Sequence, residues 1–336
     1  MNYRLLLLCG LPLLITNPVQ AQQPKVLTLA FGSCNRVELP QPLWPVIAAD
    51  KPDVWLWLGD NIYGDTNDMQ VLKRKYDAQF NLPAYQQFRR QVPTIIGTWD
   101  DHDYGRNDAG REYPFKTESQ QLALDFLQEP AGSARRRQPG LYAAYTYRVG
   151  SKKVKVILLD NRYFLDPLER NFDRTYQPNT TGDILGAAQW RWLEQQLRGS
   201  DADVHIIGGG IQFLPQQHPY EKWANFPAAR QRLLSLLVTS RAKGVVLLSG
   251  DRHIGEVSKI TLAGRAQPIY EVTASGLTHS ATQNAEEPNQ YRVGPLVNQK
   301  HYGLLRFRQQ GKKLLATALL KGEDGRAFFS QEWEVN

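Results

Sequence analysis

The chain repeats one pattern: a short apolar, often β-branched run that stops abruptly at a polar cluster. Val26 to Ala30 leads into Gly32-Ser33-Cys34-Asn35, Val54 to Leu58 into Gly59-Asp60-Asn61, and Thr94 to Gly97 into Trp99-Asp100-Asp101-His102-Asp103. Val154 to Leu159 leads into Asp160-Asn161-Arg162, Val204 to Ile207 into Gly208-Gly209-Gly210-Ile211-Gln212, and Val245 to Leu248 into Ser249-Gly250-Asp251-Arg252-His253. Runs this short and this uniformly apolar read as central strands covered on both faces. Helical periodicity fills the intervals. Asp65 to Asp68 offers N-cap residues for a helix through Phe80, and Trp190, Leu193 and Leu197 fall at i, i+3 and i+7 of a second. Leu233, Leu234, Leu237 and Val238 mark a third helix, stopped near Gly244. Lys313 to Leu320, a Gly322-Glu323-Asp324-Gly325 turn and Ala327 to Val335 predict a terminal hairpin. Strands alternating with helices predict a layered, mixed α/β protein with a largely parallel centre.

In open α/β sheets, ligands bind beyond the carboxyl ends of the strands. Cys34, Asp60, Asp101, His102, Asp160, Gln212, Asp251 and His253 all fall at such ends. One aspartate after a strand is usually a turn residue or a helix cap. Six loops that bring carboxylates, imidazoles and a thiol to one edge are not explained that way. Asp60 and Asp251 offer hard oxygen, His253 offers nitrogen and Cys34 a soft thiolate. Tyr63, three residues after Asp60, adds a phenolate if the loop turns back. Thiolate and phenolate together suit trivalent iron, whereas the carboxylate-rich remainder suits Ca²⁺, Mg²⁺ or Mn²⁺. Two cations about 3.5–4 Å apart clamp both oxygens of an in-line phosphoryl displacement, with one carboxylate spanning them; Asp60 is the candidate bridge. His102 follows two aspartates, so a neighbour can ligate metal while the imidazole protonates a leaving alkoxide or steadies phosphoryl oxygens.

Other residues carry two readings. Asp160 and Arg162 form either a bracing pair or a phosphate contact. His279 follows another strand end and can line the pocket, whereas His205, His218 and His301 read as hydrogen-bonded core histidines. Tyr220, Trp223 and Phe226 either shape a substrate cleft or pack in the core. The run Arg135-Arg136-Arg137 reads as a solvated loop, with recruitment of anions as its alternative.

Composition narrows the class. The 336 residues are 42% hydrophobic and 22% charged, which excludes a disordered, collagen-like or disulfide-stapled chain. Arg4, the apolar run Leu5 to Ile15 and Val19-Gln20-Ala21 have the form of a secretory signal cleaved after Ala21. The expectation is therefore a signal peptide over residues 1–21 and one domain over 22–336. The apolar run is too short to span a bilayer, so we expect Sec export to the periplasm or medium and no integral membrane span. After Ala21 the one cysteine is Cys34, which no intrachain disulfide can use; a lone thiol there has to be buried or bound. The net charge of +7 reads first as ordinary solubility, with anionic substrates as the alternative. No nucleic-acid motif or basic stripe interleaved with aromatics occurs, so specific nucleic-acid binding is not expected.

The ordered set Phe31-Gly32-Ser33-Cys34, Gly59-Asp60-Asn61-Ile62-Tyr63, Trp99-Asp100-Asp101-His102-Asp103, Leu159-Asp160-Asn161-Arg162, Leu185-Gly186 with Gln189-Trp190, and Gly250-Asp251-Arg252-His253 resembles the alkaline phosphatase D (PhoD-type) family of calcineurin-like metallophosphatases. The likeness runs from about Leu27 to His279. It implies a four-layer α/β/β/α sandwich with mixed central sheets. It also implies hydrolysis of small-molecule or polymer phosphoric esters by a metal-activated water, with Fe³⁺ and Ca²⁺ (Zn²⁺, Mn²⁺ or Mg²⁺ as alternatives). By that resemblance Cys34, Asp60 and Tyr63 hold the iron, Asp60 bridges, and Asp101, Asp251 and His253 complete the cluster. His102 contacts phosphate, and Arg162 offsets developing charge. Asn61, Asp100, Asp103, Asp160, Gln212, Trp223 and His279 are implied as supporting or substrate contacts. Alternatives are a phospholipase-like or wall-polymer phosphodiesterase, or a non-catalytic exported metal-binding protein. Two departures stand out: larger family members carry an extra N-terminal β-rich domain and a twin-Arg signal. The expected consequence is a more open cleft, favouring bulkier diesters.

Overall fold

The computed structural model describes residues 25–173, 175–281 and 287–335; the expected export segment and its cleavage point at Ala21 lie outside the described residues. One sheet holds six strands. Its β1 (Val26–Gly32), β2 (Val54–Leu58) and β3 (Thr94–Thr98) are parallel, and β11 (Tyr302–Gln310), β12 (Lys313–Lys321) and β13 (Ala327–Val335) extend it antiparallel from β1. The second sheet holds seven. There β5 (Lys152–Leu158), β6 (Val204–Gly208), β7 (Val245–Ser249) and β9 (Ile269–Ala274) are parallel, flanked by antiparallel β4 (Ala143–Val149), β8 (Gly255–Ile260) and β10 (Arg292–Val297).

Alternate residues of each central strand serve two different interfaces. Leu27, Leu29, Phe31, Leu56 and Leu58 of one sheet meet Val156, Leu158, Ile206, Val246 and Val272 of the other. The opposite side of the first sheet, with Ala30, Trp55 and Trp57, packs on Trp44, Tyr85, Phe88 and Phe126. These come from helices α1 (Leu43–Ala49), α3 (Pro83–Gln91) and α5 (Lys116–Phe126), which share that side with α2 (Met69–Asn81). Ile157, Ile207 and Leu247 lie under Trp190 and Leu193 of α6 (Gly186–Leu197) and Leu233 and Leu237 of α7 (Pro227–Thr239). The layers are α/β/β/α, as expected. Burial on both faces is why these strands contain no polar alternation.

Several local expectations hold. Asp68 caps α2, accepting from the backbone N–H groups of Gln70 (2.8 Å) and Val71 (3.3 Å). The terminal hairpin pairs Leu314 with Val335 through to Leu320 with Phe329. Both sheets are mixed, as expected: β9, β7, β6 and β5 form a parallel centre in the second, and one-sided strands such as β12, buried at every second residue, extend the first antiparallel. Helix α7 ends at Thr239, before Gly244. The mostly polar α3 buries Tyr85 and Phe88 on one stripe, a signal too narrow to read from the pattern.

The basic run is also corrected. Arg135 is buried, and its guanidinium donates to the carbonyls of Leu141 and Gly97 (2.7 Å), tying the loop after α5 to the edge strand β3. Arg136 donates to the Glu129 carbonyl at 2.7 Å, which leaves Arg137 as the exposed member. One guanidinium has five donors and can satisfy several carbonyls at once. His205 and His301 are hydrogen-bonded core histidines: His205 bonds the Lys243 carbonyl and the Ser200 hydroxyl, His301 the Gln299 carbonyl and Ser275 N–H. His218 is buried with neither ring nitrogen hydrogen-bonded, contrary to expectation. Among the described residues no helix is long and apolar enough to cross a membrane.

Candidate metal centre

The loops leaving β1, β2 and β3 of the first sheet and β7 of the second converge at one end of the two facing sheets. Cys34 (φ 61°), Asp60 (49°), Asp251 (66°) and His253 (56°) all adopt the left-handed backbone region. Each costs roughly 1 kcal/mol or more for a residue with a Cβ, and such strain gathers where function fixes geometry. Gly59, at φ 92°, permits the close approach of two of these loops, since a Cβ there would lie 2.4 Å from the Asp100 Cβ.

Three sets of donor atoms lie within 4.8 Å of one another: Cys34 with Asp60 and His253, Asp60 with Asp101 and His102, and Asp100 with Asp101 and Asp251. Asp60 and Asp101 are each shared by two sets. The loop after Asp60 does turn back: the Tyr63 hydroxyl donates to Asp60 Oδ2 at 3.3 Å and lies 3.0 Å from His253 Nε2. His279 joins the same end, its Nε2 standing 3.2 Å from the Tyr63 hydroxyl and 3.3 Å from His253 Nε2. The cluster thus has a thiol–phenol–imidazole end and a carboxylate end, joined at Asp60.

Burial raises the Cys34 thiol and the Tyr63 phenol well above their usual ranges, and neighbouring negative charge raises them further. Asp60 is raised likewise, first by burial and then by Asp101, Asp103 and Asp251, with His102 opposing. Asp251 is pushed up to about 6 by burial and by Asp101. Crowding this many acids out of water is unfavourable unless cations compensate. Asp60 Oδ1 and Asp100 Oδ2 are buried with no hydrogen-bond partner at all. Orphaned carboxylate oxygens beside a thiol and a phenol fit multivalent cations, which would hold both acids deprotonated.

His102 is fixed from outside the cluster. Its Nδ1 lies 2.7 and 2.9 Å from the two Asp65 oxygens, and its ring stacks on Tyr63 with centroids 4.2 Å apart. Burial disfavours the imidazolium, but Asp101, Asp60 and Asp65 outweigh it and push the group up to about 10. Asp65 had been read only as part of a helix start. Its partnership with His102 spans 37 residues and has no local signal.

The other expected residues brace the loops. Asp103 is saturated: its carboxylate accepts from the backbone N–H groups of Asp100 (2.7 Å), Asp60 (3.1 Å) and Asn61 (3.2 Å), and from the Asn61 amide (2.6 Å). Asp160 accepts from the backbone of Leu141, Arg162 and Tyr163, while Gln189 of the Leu185-Gly186 motif pairs with its peptide group. Gln212 bonds Glu256 and Thr273 in a buried network, and Trp223 packs in the core beneath α7. Arg162 requires a correction. It is wholly buried, donating to Asp100 Oδ1 at 2.5 Å and pairing with Glu221 Oε2 at 2.5 Å. The cleft at the cluster, about 540 Å³, is lined by Asp101, His102, Tyr220, Asp251, Arg252 and His253 among others, and Arg162 is not one of them. Pattern reading missed Glu221, and it gave Asn161 no role although both polar atoms of its buried amide lack partners.

Two facing mixed sheets between helical layers, with an acid-rich cluster at one strand edge, define the calcineurin-like metallophosphoesterase class of fold. The sequence pattern of the PhoD-like phosphatases matches residues 29–318, and the chain belongs to that family. It is 24% identical over 294 residues to alkaline phosphatase D of Bacillus subtilis (strain 168), covering 73% of this chain and 49% of that one. The chain therefore spans about half the length of the curated relative it matches. The structure of PhoD superposes with a TM-score of 0.73 at 17% identity, covering 92% of this chain and 72% of that one. GAP50, the anchor in the inner membrane complex of Plasmodium, gives 0.58 at 13% identity over 93% and 89%. A dimetal phosphatase from Danio rerio gives 0.51 at 13% identity over 94% and 99%.

Proposed function

We propose that the protein is an exported, metal-dependent hydrolase of phosphoric mono- or diesters. The observation that carries this reading is the shared use of Asp60 and Asp101 by adjoining donor sets beside an imidazole anchored by Asp65. In this reading Cys34, Asp60, Tyr63 and His253 hold Fe³⁺, and Asp60, Asp100, Asp101 and Asp251 hold Ca²⁺, following the softness of the donors. Bound cations would supply Lewis acidity, polarising phosphoryl oxygens and lowering the pKa of the water that attacks phosphorus in line. His102, with Nδ1 taken by Asp65, keeps Nε2 for the substrate and delivers a proton to the departing alcohol oxygen as its bond to phosphorus breaks. Arg162 acts behind the cluster: it holds Asp100 in place and balances its charge. Lipid head groups or wall polymers as substrates belong to the same reading, since the same core serves mono- and diesters.

A second reading, a metal-binding protein without turnover, draws on GAP50, an anchor built on a similar fold. The test is hydrolysis of aryl phosphate mono- and diesters by the protein loaded with iron and calcium, alongside Asp60→Asn. Turnover that Asp60→Asn abolishes is expected. A fully metal-loaded protein that hydrolyses neither ester would leave the anchor reading standing.

A further inference from the structure

Tyr220, Trp223 and Phe226 are neighbours in sequence and part company in the fold. Trp223 and Phe226 are core residues, whereas Tyr220 is 43% exposed and lines the cleft beside Asp251 and His253. Its ring is held in place. The Arg252 guanidinium lies 3.9 Å from the ring centroid, and two bonds to Glu287, 2.6 and 2.8 Å long, fix that guanidinium in turn. Chain connectivity ties this wall to the chemistry. Arg252 directly follows Asp251, and Glu221 directly follows Tyr220 and reaches Asp100 through Arg162. A braced, solvent-open aromatic ring in the same cleft as a phosphoryl site is a stacking surface that needs little ordering on binding.

The charges of the cleft say what else the ligand carries. Both arginines of its lining are already paired with carboxylates, Arg252 with Glu287 and Arg170 with Asp108. Asp173 adds a further acid to the same lining, whose Glu221 is paired with Arg162 and whose Asp101 and Asp251 belong to the metal cluster. Among the described residues, a second anionic group on the ligand would find no unpaired guanidinium in this lining.

Building on the phosphoric-ester reading above, we propose that the Tyr220–Arg252 wall receives the alcohol portion of the ester and selects one that carries an uncharged planar ring. The ring stacks on Tyr220; an aryl group and a nucleobase share this chemistry. The probes are benzyl- and ethylphosphonate, non-hydrolysable and matched in charge, titrated calorimetrically into the metal-loaded protein. Turnover of benzyl and ethyl phosphate, whose leaving alkoxides are similar, is measured in parallel. The benzyl compound is expected to bind about tenfold tighter, the worth of one stacking contact. Tyr220→Ala brings the benzyl-to-ethyl ratio near one, Tyr220→Phe retains it, and a para-carboxylate on the benzyl ring cancels it. Because each ratio is taken within one protein preparation, a partly unfolded variant does not mimic the effect. A wild-type ratio near one, or a ratio that survives Tyr220→Ala, overturns the proposal. If neither phosphate is turned over while the tenfold binding preference persists, the hydrolase reading fails and the stacking wall stands.

Discussion

Replacing Arg162 by methionine keeps an unbranched aliphatic stem, removes the charged guanidinium, and separates the two roles this residue could have. Arg162 and Asp100 are 0% exposed and Glu221 is 3% exposed, so losing the guanidinium strands two carboxylates away from water. Removing one partner of a buried ion pair costs about 3–5 kcal/mol, because the remaining charge is uncompensated. Glu221 is pushed up to about 8 by burial, with Arg162 as the main group opposing the shift. Without Arg162 it rises further, so at pH 8 it takes up a proton, which softens the loss toward the lower figure. Glu221→Gln in the same background removes the cost of neutralising Glu221 and is expected to recover about 1 kcal/mol or more, a coupling typical of residues in direct contact. Urea unfolding of both single variants and the double variant, metal-loaded at pH 8, reads these differences directly. A methionine variant that unfolds within about 0.5 kcal/mol of the parent, yet loses turnover a hundredfold, refutes the reasoning. Arg162 would then be a phosphate contact, the alternative to the bracing role.

Asp65→Asn removes the carboxylate that anchors His102 and lowers the imidazole pKa. Turnover is expected to fall about 10- to 100-fold, the usual effect of losing such an orienting partner, with the alkaline limb of the pH–rate profile moving to lower pH. An unmoved limb would detach Asp65 from the chemistry. Chelation should lower the unfolding temperature, and restoring a cation at a hundred times its dissociation constant returns about 2.7 kcal/mol per site. Asp60→Asn should respond much less; a response equal to the parent's would remove Asp60 from the ligand set. His301 gives the acid stability a predictable slope. Burial pulls its pKa from 6.5 to about 4, so the unfolded chain takes up the proton first. Its contribution is complete above pH 6.5 and is lost as pH falls toward 4, about 3 kcal/mol in all. His301→Asn, which can keep one donor and one acceptor, should flatten that limb of the stability–pH curve; an unchanged slope would contradict the assignment.

The central strands were legible because burial on both faces leaves one kind of signal: Val54–Leu58 is apolar throughout, and every residue of it is buried. From that alone, Cys34, Asp60, Asp101, His102, Asp251 and His253 fell together, because consecutive parallel strands deliver their following loops to one edge. The fold class, the edge and most of the acid cluster were therefore in the sequence. The allocation of roles was not. Asp103 and Asp101 share one short polar cluster, yet Asp103 spends its carboxylate on four N–H donors while Asp101 faces the cleft. Arg162 and Arg252 both follow strand-end aspartates closely, and one is sealed behind the acid cluster while the other forms a wall of the cleft. These outcomes depend on partners 62 residues away for Arg162, 37 for His102 and 35 for Arg252. Hydrophobic periodicity reports which side of a strand is covered; which polar group finds which partner is decided only when separate loops are packed within a few ångströms of one another.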